Sequence, residues 1–179
     1  MSEPQPDYDP VTLRETYPDP AAVGERITEL RREIAAAPDD IAELAARGEL
    51  VELLRGSGRL DDALAEGRLA IDRARLVGTA PQQHTARLRV AHVHQWRAEF
   101  PAADAEFDQL LADAERFGPV IAAFTHQHAG MNDYDQGRFP VAAEHFATAL
   151  RIRREFELPD DQIATSEQAL AAARRREAG

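Results

Sequence analysis

Three stretches of the chain align on one another without a gap: GRLDDALAEGRLAIDRA from Gly58, AEFPAADAEFDQLLADA from Ala98 and GRFPVAAEHFATALRIR from Gly137. Each opens on a small residue, places Leu60, Phe100 or Phe139 two positions later, and puts Ala63, Ala103 or Ala142 three beyond that. The copies begin 40 and 39 residues apart, a period that marks architecture built by repetition. An alanine at a crossing point lets two helices approach closely while larger residues fill the flanking space. One such hairpin cannot bury its apolar face alone, so its neighbours must stack on it.

The surrounding sequence divides into helices with recognisable ends. Asp19-Pro20 offers a cap and a first-turn proline, and Val23, Ile27, Leu30 and Ile34 then form one apolar stripe. Asp39-Asp40 opens the next helix, with Glu43 read as a capping-box partner of Asp40, and Gly56-Ser57-Gly58 ends it. Further helices are predicted over 60–77, 81–97, 100–116, 119–134, 139–156 and from Asp160 to about residue 176, punctuated by Gly78, Gly118-Pro119 and Pro159. Residues 1–18 carry four prolines and two tyrosines without periodicity, and read as a flexible or extended arm. The expected order is therefore the arm 1–18, an N-terminal helix 19–38, three helix pairs over 39–156 and a capping helix 157–179.

The repeated positions resemble the tetratricopeptide repeat. The third copy matches best, with Gly130, Gly137, Phe139, Ala142, Phe146 and Ala149; the second has Phe100, Ala103 and Phe107 but Leu110 at a small-residue position. The first has Gly58, Leu60, Ala63 and Ala70, with Gly67 where an aromatic is usual. The resemblance implies an all-α fold, an α-solenoid of stacked antiparallel helix pairs (a TPR-like superhelix) of about eight helices, whose copies exceed the family's usual length. It also implies that the first helix of each pair lines a concave ligand-binding surface. Carried over by position, that surface comprises Glu52 and Arg55, then Thr85, Arg89, His92, Gln95 and Trp96, then Phe124, Gln127, His128, Met131 and Tyr134.

Chemically, this set offers anchors for a peptide. Trp96, Phe124, Met131 and Tyr134 supply contact area, Gln95 and Gln127 could bond backbone amides, and Arg55 or Arg89 could hold a carboxylate. The competing reading makes Trp96 and Phe124 core residues at a junction between pairs. His92 and His94, like His126 and His128, lie two apart on a helix and point away from each other, so neither pair chelates one ion; a site would need His92, His128 and a carboxylate such as Asp135. No metal and no cofactor is expected. Asp133 occupies a packing position and, if buried, needs a partner such as His126 or Arg138. The runs 151–154 and 174–176 read as solvated faces near helix C-termini.

Composition excludes several classes. The chain has neither cysteine nor lysine, which removes thiol and Schiff-base chemistry. A net charge of −11 argues against nucleic acid and anionic membrane as partners, and an acidic start with no long apolar run points to the cytoplasm. No catalytic constellation emerges, so the expectation is a non-enzymatic scaffold or adaptor for an unidentified protein or peptide. The alternatives are a self-associating module, a homodimer paired through the last helix, and a peptide-sensing regulator without its own DNA-binding domain. Tyr8 and Tyr17 among the prolines give the arm the look of a groove ligand.

Overall fold

The computed structural model describes residue 4 and residues 6–178. The fold is all-α apart from one small hairpin, with eight helices among the described residues: α1 (Pro20–Ala35), α2 (Asp40–Gly56), α3 (Leu60–Val77), α4 (Ala80–Trp96), α5 (Phe100–Asp113), α6 (Pro119–Asp135), α7 (Phe139–Glu155) and α8 (Asp160–Glu177). Residues 114–117 continue α5 as a short 3-10 turn. Among the described residues no helix is long and apolar enough to cross a membrane.

The chain forms two compact units, one of residues 1–9 and 14–97, the other of residues 10–13 and 98–179. The boundary between Arg97 and Ala98 falls between the two helices read as the second pair. Each unit has its own core. In the first, α1 packs on α2, α2 on α3 and α3 on α4, around Leu30, Leu50, Val51, Leu54 and Val93. In the second, α5 packs on α6, α6 on α7 and α7 on α8, with Phe146, Leu150, Ala169 and Leu170 at the centre. This neighbour-on-neighbour antiparallel packing is that of an α-solenoid.

The repeat positions share burial and backbone conformation. Ala63, Ala103 and Ala142 are each fully buried. The small residue that opens each copy sits in the left-handed region, with φ of 77° at Gly58, 57° at Ala98 and 74° at Gly137. At Gly58 and Gly137 the reversal completes a helix C-cap: Arg59 N donates to Leu54 O at 2.8 Å, and Arg138 N to Asp133 O at 2.9 Å. Gly67, the copy-one departure from an aromatic, leaves room for Val90, whose Cγ2 would stand 2.6 Å from a β-carbon there.

One local expectation is corrected. Asp39, not Asp40, caps α2 by accepting from Ala42 N at 2.8 Å; Glu43 therefore lies one position too far for a capping box and pairs with Arg47 and Arg73. The described part of the arm carries a hairpin, in which Asp7–Tyr8 and Glu15–Thr16 pair antiparallel as β1 and β2. Residues 1–3 and 5 of the arm lie outside the described residues.

Candidate functional site

Within the first unit, α2 supplies Glu52 and Arg55 from one helix face, and α4 supplies Arg89, His92 and Trp96. Arg89 Nε donates to Glu52 Oε1 at 2.7 Å, and Trp96 Nε1 donates to His92 Nε2 at 3.2 Å. The Arg55 guanidinium stands 4.8 Å from the Trp96 ring centroid, within cation–π range. Thr85 and Arg89 also line an apolar cleft of about 280 Å³ with Ile41, Leu44 and Val51.

Arg55 is only 3% exposed, and a cation so enclosed requires a counter-charge. The arm provides it: Arg55 Nη2 donates to Glu15 Oε2 at 2.8 Å. Arg14 sets a second guanidinium 5.1 Å from the Trp96 centroid. Tyr17 packs against the first core and over Gly56, where a β-carbon would stand 2.5 Å from its Cε2. Tyr8 OH reaches Glu15 Oε1 at 3.4 Å. Loss of water, with Glu15 beside it, pushes the Tyr8 hydroxyl up to about 12, and the same two causes raise Tyr17. The acids flanking this region have arginines of their own, since Arg26 grips Glu49 through two bonds of 2.7 and 2.8 Å.

In the second unit, α6 carries Phe124, Gln127, His128, Met131 and Tyr134. Met131 and Tyr134 are buried against Leu13, itself 5% exposed, and Tyr134 OH donates to Val11 O at 2.9 Å. Phe124 lies edge-on to His128 and beneath the Arg153 guanidinium, 5.3 Å away.

Six of the expected groove residues, Arg55, His92, Gln95, Gln127, Met131 and Tyr134, are buried and have little surface to offer. His92, Gln95 and Gln127 are 2%, 1% and 3% exposed, which corrects the idea that the two glutamines reach a bound backbone. Gln127 Oε1 instead accepts from Ser166 Oγ at 2.7 Å, and Ser166 also receives Arg153 Nη1 at 2.7 Å. Arg153 is sealed between α6, α7 and α8, donating to Gln162 O at 2.6 Å, so the run 151–154 is not wholly a solvated face. Only Arg151 and Arg154 are exposed, paired with Glu155 and Glu167.

Asp133 finds Arg138, whose Nε donates to Oδ1 at 2.7 Å. The histidine near it is His145 at 3.5 Å; His126 pairs instead with His145, their Nδ1 atoms 3.0 Å apart. Burial raises the Asp133 carboxyl, while the Arg138 guanidinium holds Asp104 below the usual carboxylate range. No group of three or more metal-ligating side chains is gathered among the described residues.

Sequence reasoning missed Glu15, Arg14 and Leu13, the arm residues that meet the candidate faces. The signal available was a single aliphatic and a charged pair inside a proline-rich stretch, too short to show periodicity.

No family model matches the chain, and no curated protein matches it. Among solved structures, it is similar to the crystal structure of BtubC (BKLC) from P. vanneervenii, with a TM-score of 0.68 and 18% sequence identity. The match covers 88% of this chain and 67% of that one. At that identity the likeness concerns the fold.

Proposed function

We propose that the chain is a protein- or peptide-binding scaffold of the tetratricopeptide type, holding a partner rather than transforming it. In this reading α4 of the first unit and α6 of the second each present a face to a partner segment. The observation that supports it most directly is that residues 14–17, an irregular stretch with a two-residue strand, already lie along Arg55, Gly56 and Trp96. A surface that accepts a non-helical segment of its own chain has the attributes of a peptide site: a buried cation, an aromatic platform and a notch opened by a glycine.

The experiment is affinity capture from the native host, comparing the unaltered chain with the Trp96→Ala, Phe124→Ala double variant, both rings being only partly buried. Specific proteins are expected with the former and not the latter, at equal helicity by circular dichroism. An unchanged set of captured proteins would remove these faces from the binding mechanism.

A further inference from the structure

The Arg55 guanidinium has one nitrogen without a hydrogen-bond partner among the described residues. Glu15 takes Nη2 at 2.8 Å, whereas Nη1 is that buried nitrogen. A guanidinium presents two parallel donors to a carboxylate, and the paired geometry is stronger and more selective than a single bond. The other Glu15 oxygen is turned toward Tyr8 OH, 3.4 Å away. The cis contact is thus a partial fit at a cation able to make a fuller one. Glu49 and Glu52 do not supply it, being held by Arg26 and Arg89.

The rest of the cis contact specifies a pattern. Residues two apart in an extended segment project to the same side. Glu15 and Tyr17 are so spaced; the carboxylate goes to Arg55 and the ring covers Gly56, one residue further along α2. Carboxylate and ring are therefore read by adjacent positions of one helix end. The glycine matters because a β-carbon at residue 56 would collide with the ring at 2.5 Å.

We propose that this face of the first unit takes an extended partner segment bearing an acidic residue followed two positions later by an aromatic one, and that Arg14–Tyr17 hold its place in cis. The inference rests on the scaffold reading above and names the partner's chemistry. A partner succeeds by offering Arg55 both carboxylate oxygens. Occupancy by the arm lowers the apparent affinity by the fraction of time the face is closed.

The test uses the full chain and a fluorescein-labelled peptide with the sequence of residues 7–18, read by anisotropy. Emission of Trp96, the chain's single tryptophan, gives a second signal at the face itself. Glu15→Gln and Glu15→Ala, Tyr17→Ala chains, whose own arms are loosened, are expected to bind the peptide about ten-fold more tightly than the unaltered chain. Adding Arg55→Met should abolish that gain, and a peptide with its glutamate and tyrosine replaced by alanine should not bind. The Glu15→Gln chain carries the test if the double variant fails to fold. The proposal is overturned if a folded, arm-loosened chain with shifted Trp96 emission binds both peptides equally or binds neither. That result, together with persistent Trp96-dependent capture of host proteins, would remove the acidic–aromatic assignment alone. Loss of Trp96 dependence in the capture experiment would remove the scaffold reading.

Discussion

Gly130 lies so close beneath Phe146 that a β-carbon at residue 130 would stand 2.7 Å from the ring's Cε1 and 3.2 Å from His145 Cβ. Phe146 is fully buried, so the ring has nowhere to retreat. The small-residue position of the repeat is therefore a contact distance between α6 and α7. Gly130→Ala is expected to destabilise the second unit by about 1–2 kcal/mol, the overpacking cost exceeding the gain in helix propensity. Gly24 is the control: it is exposed within α1 with nothing within 4 Å of an added β-carbon, so Gly24→Ala should stabilise by about 1 kcal/mol. Opposite shifts in the denaturation midpoint check the pair.

Arg153 places a cation at 2% exposure among Ser166, Gln162 and the Phe124 ring. Removing it strands acceptors that burial has cut off from water. Arg153→Ala is expected to cost on the order of 3 kcal/mol in chemical denaturation. Arg151→Ala should move the midpoint little, since that residue is exposed and its ion pair is with Glu155 one turn away. Equal effects of the two changes would show that the buried network contributes little.

These residues also mark how far the sequence could be read. Helix ends were legible because Asp19, Gly58, Gly118 and Gly137 act locally, through caps and backbone conformations that need no distant partner. The alanines at 63, 103 and 142 were legible because repetition exposes a shared packing requirement. Arg153 and Gln127 were not, because whether a polar side chain is buried depends on what faces it, here Ser166 on α8. The arm hairpin was hidden for the same reason. Its strands are two residues each, too short to declare a period, and its hold on Arg55 spans 40 residues of sequence.

Ala98 adopts φ of 57°, a conformation its two counterparts satisfy with glycine. An L-residue with a β-carbon pays roughly 1–2 kcal/mol to sit there. The position precedes α5 and is exposed, so glycine loses no helix propensity and no packing. Ala98→Gly is expected to stabilise the chain by about 1 kcal/mol, less the extra freedom glycine has when unfolded. A lowered denaturation midpoint would mean that the left-handed turn is not under strain.

His126 and His145 set up a dependence on pH whose direction follows from their surroundings. Burial, and for His126 the neighbouring imidazole, lower both; His126 falls from 6.5 to about 4. Their Nδ1 atoms are 3.0 Å apart, which suits one neutral ring donating to another and penalises two cations. Glu115 opposes the shift of His126 and Asp133 that of His145, while Arg151 deepens the former. A neutral imidazole in the folded state stabilises fully above the unfolded value, and that contribution is lost as the unfolded chain takes up the proton first. Stability is therefore expected to fall as pH drops from 6.5 toward about 4. Asp133, raised by burial, works the other way, since its folded carboxyl binds a proton more readily than the unfolded one. His126→Asn should flatten the decline above the carboxylate range while leaving the neutral-pH midpoint nearly unchanged. The measurement is the urea midpoint of both chains across that interval; parallel curves would show that the histidine pair does not titrate with unfolding.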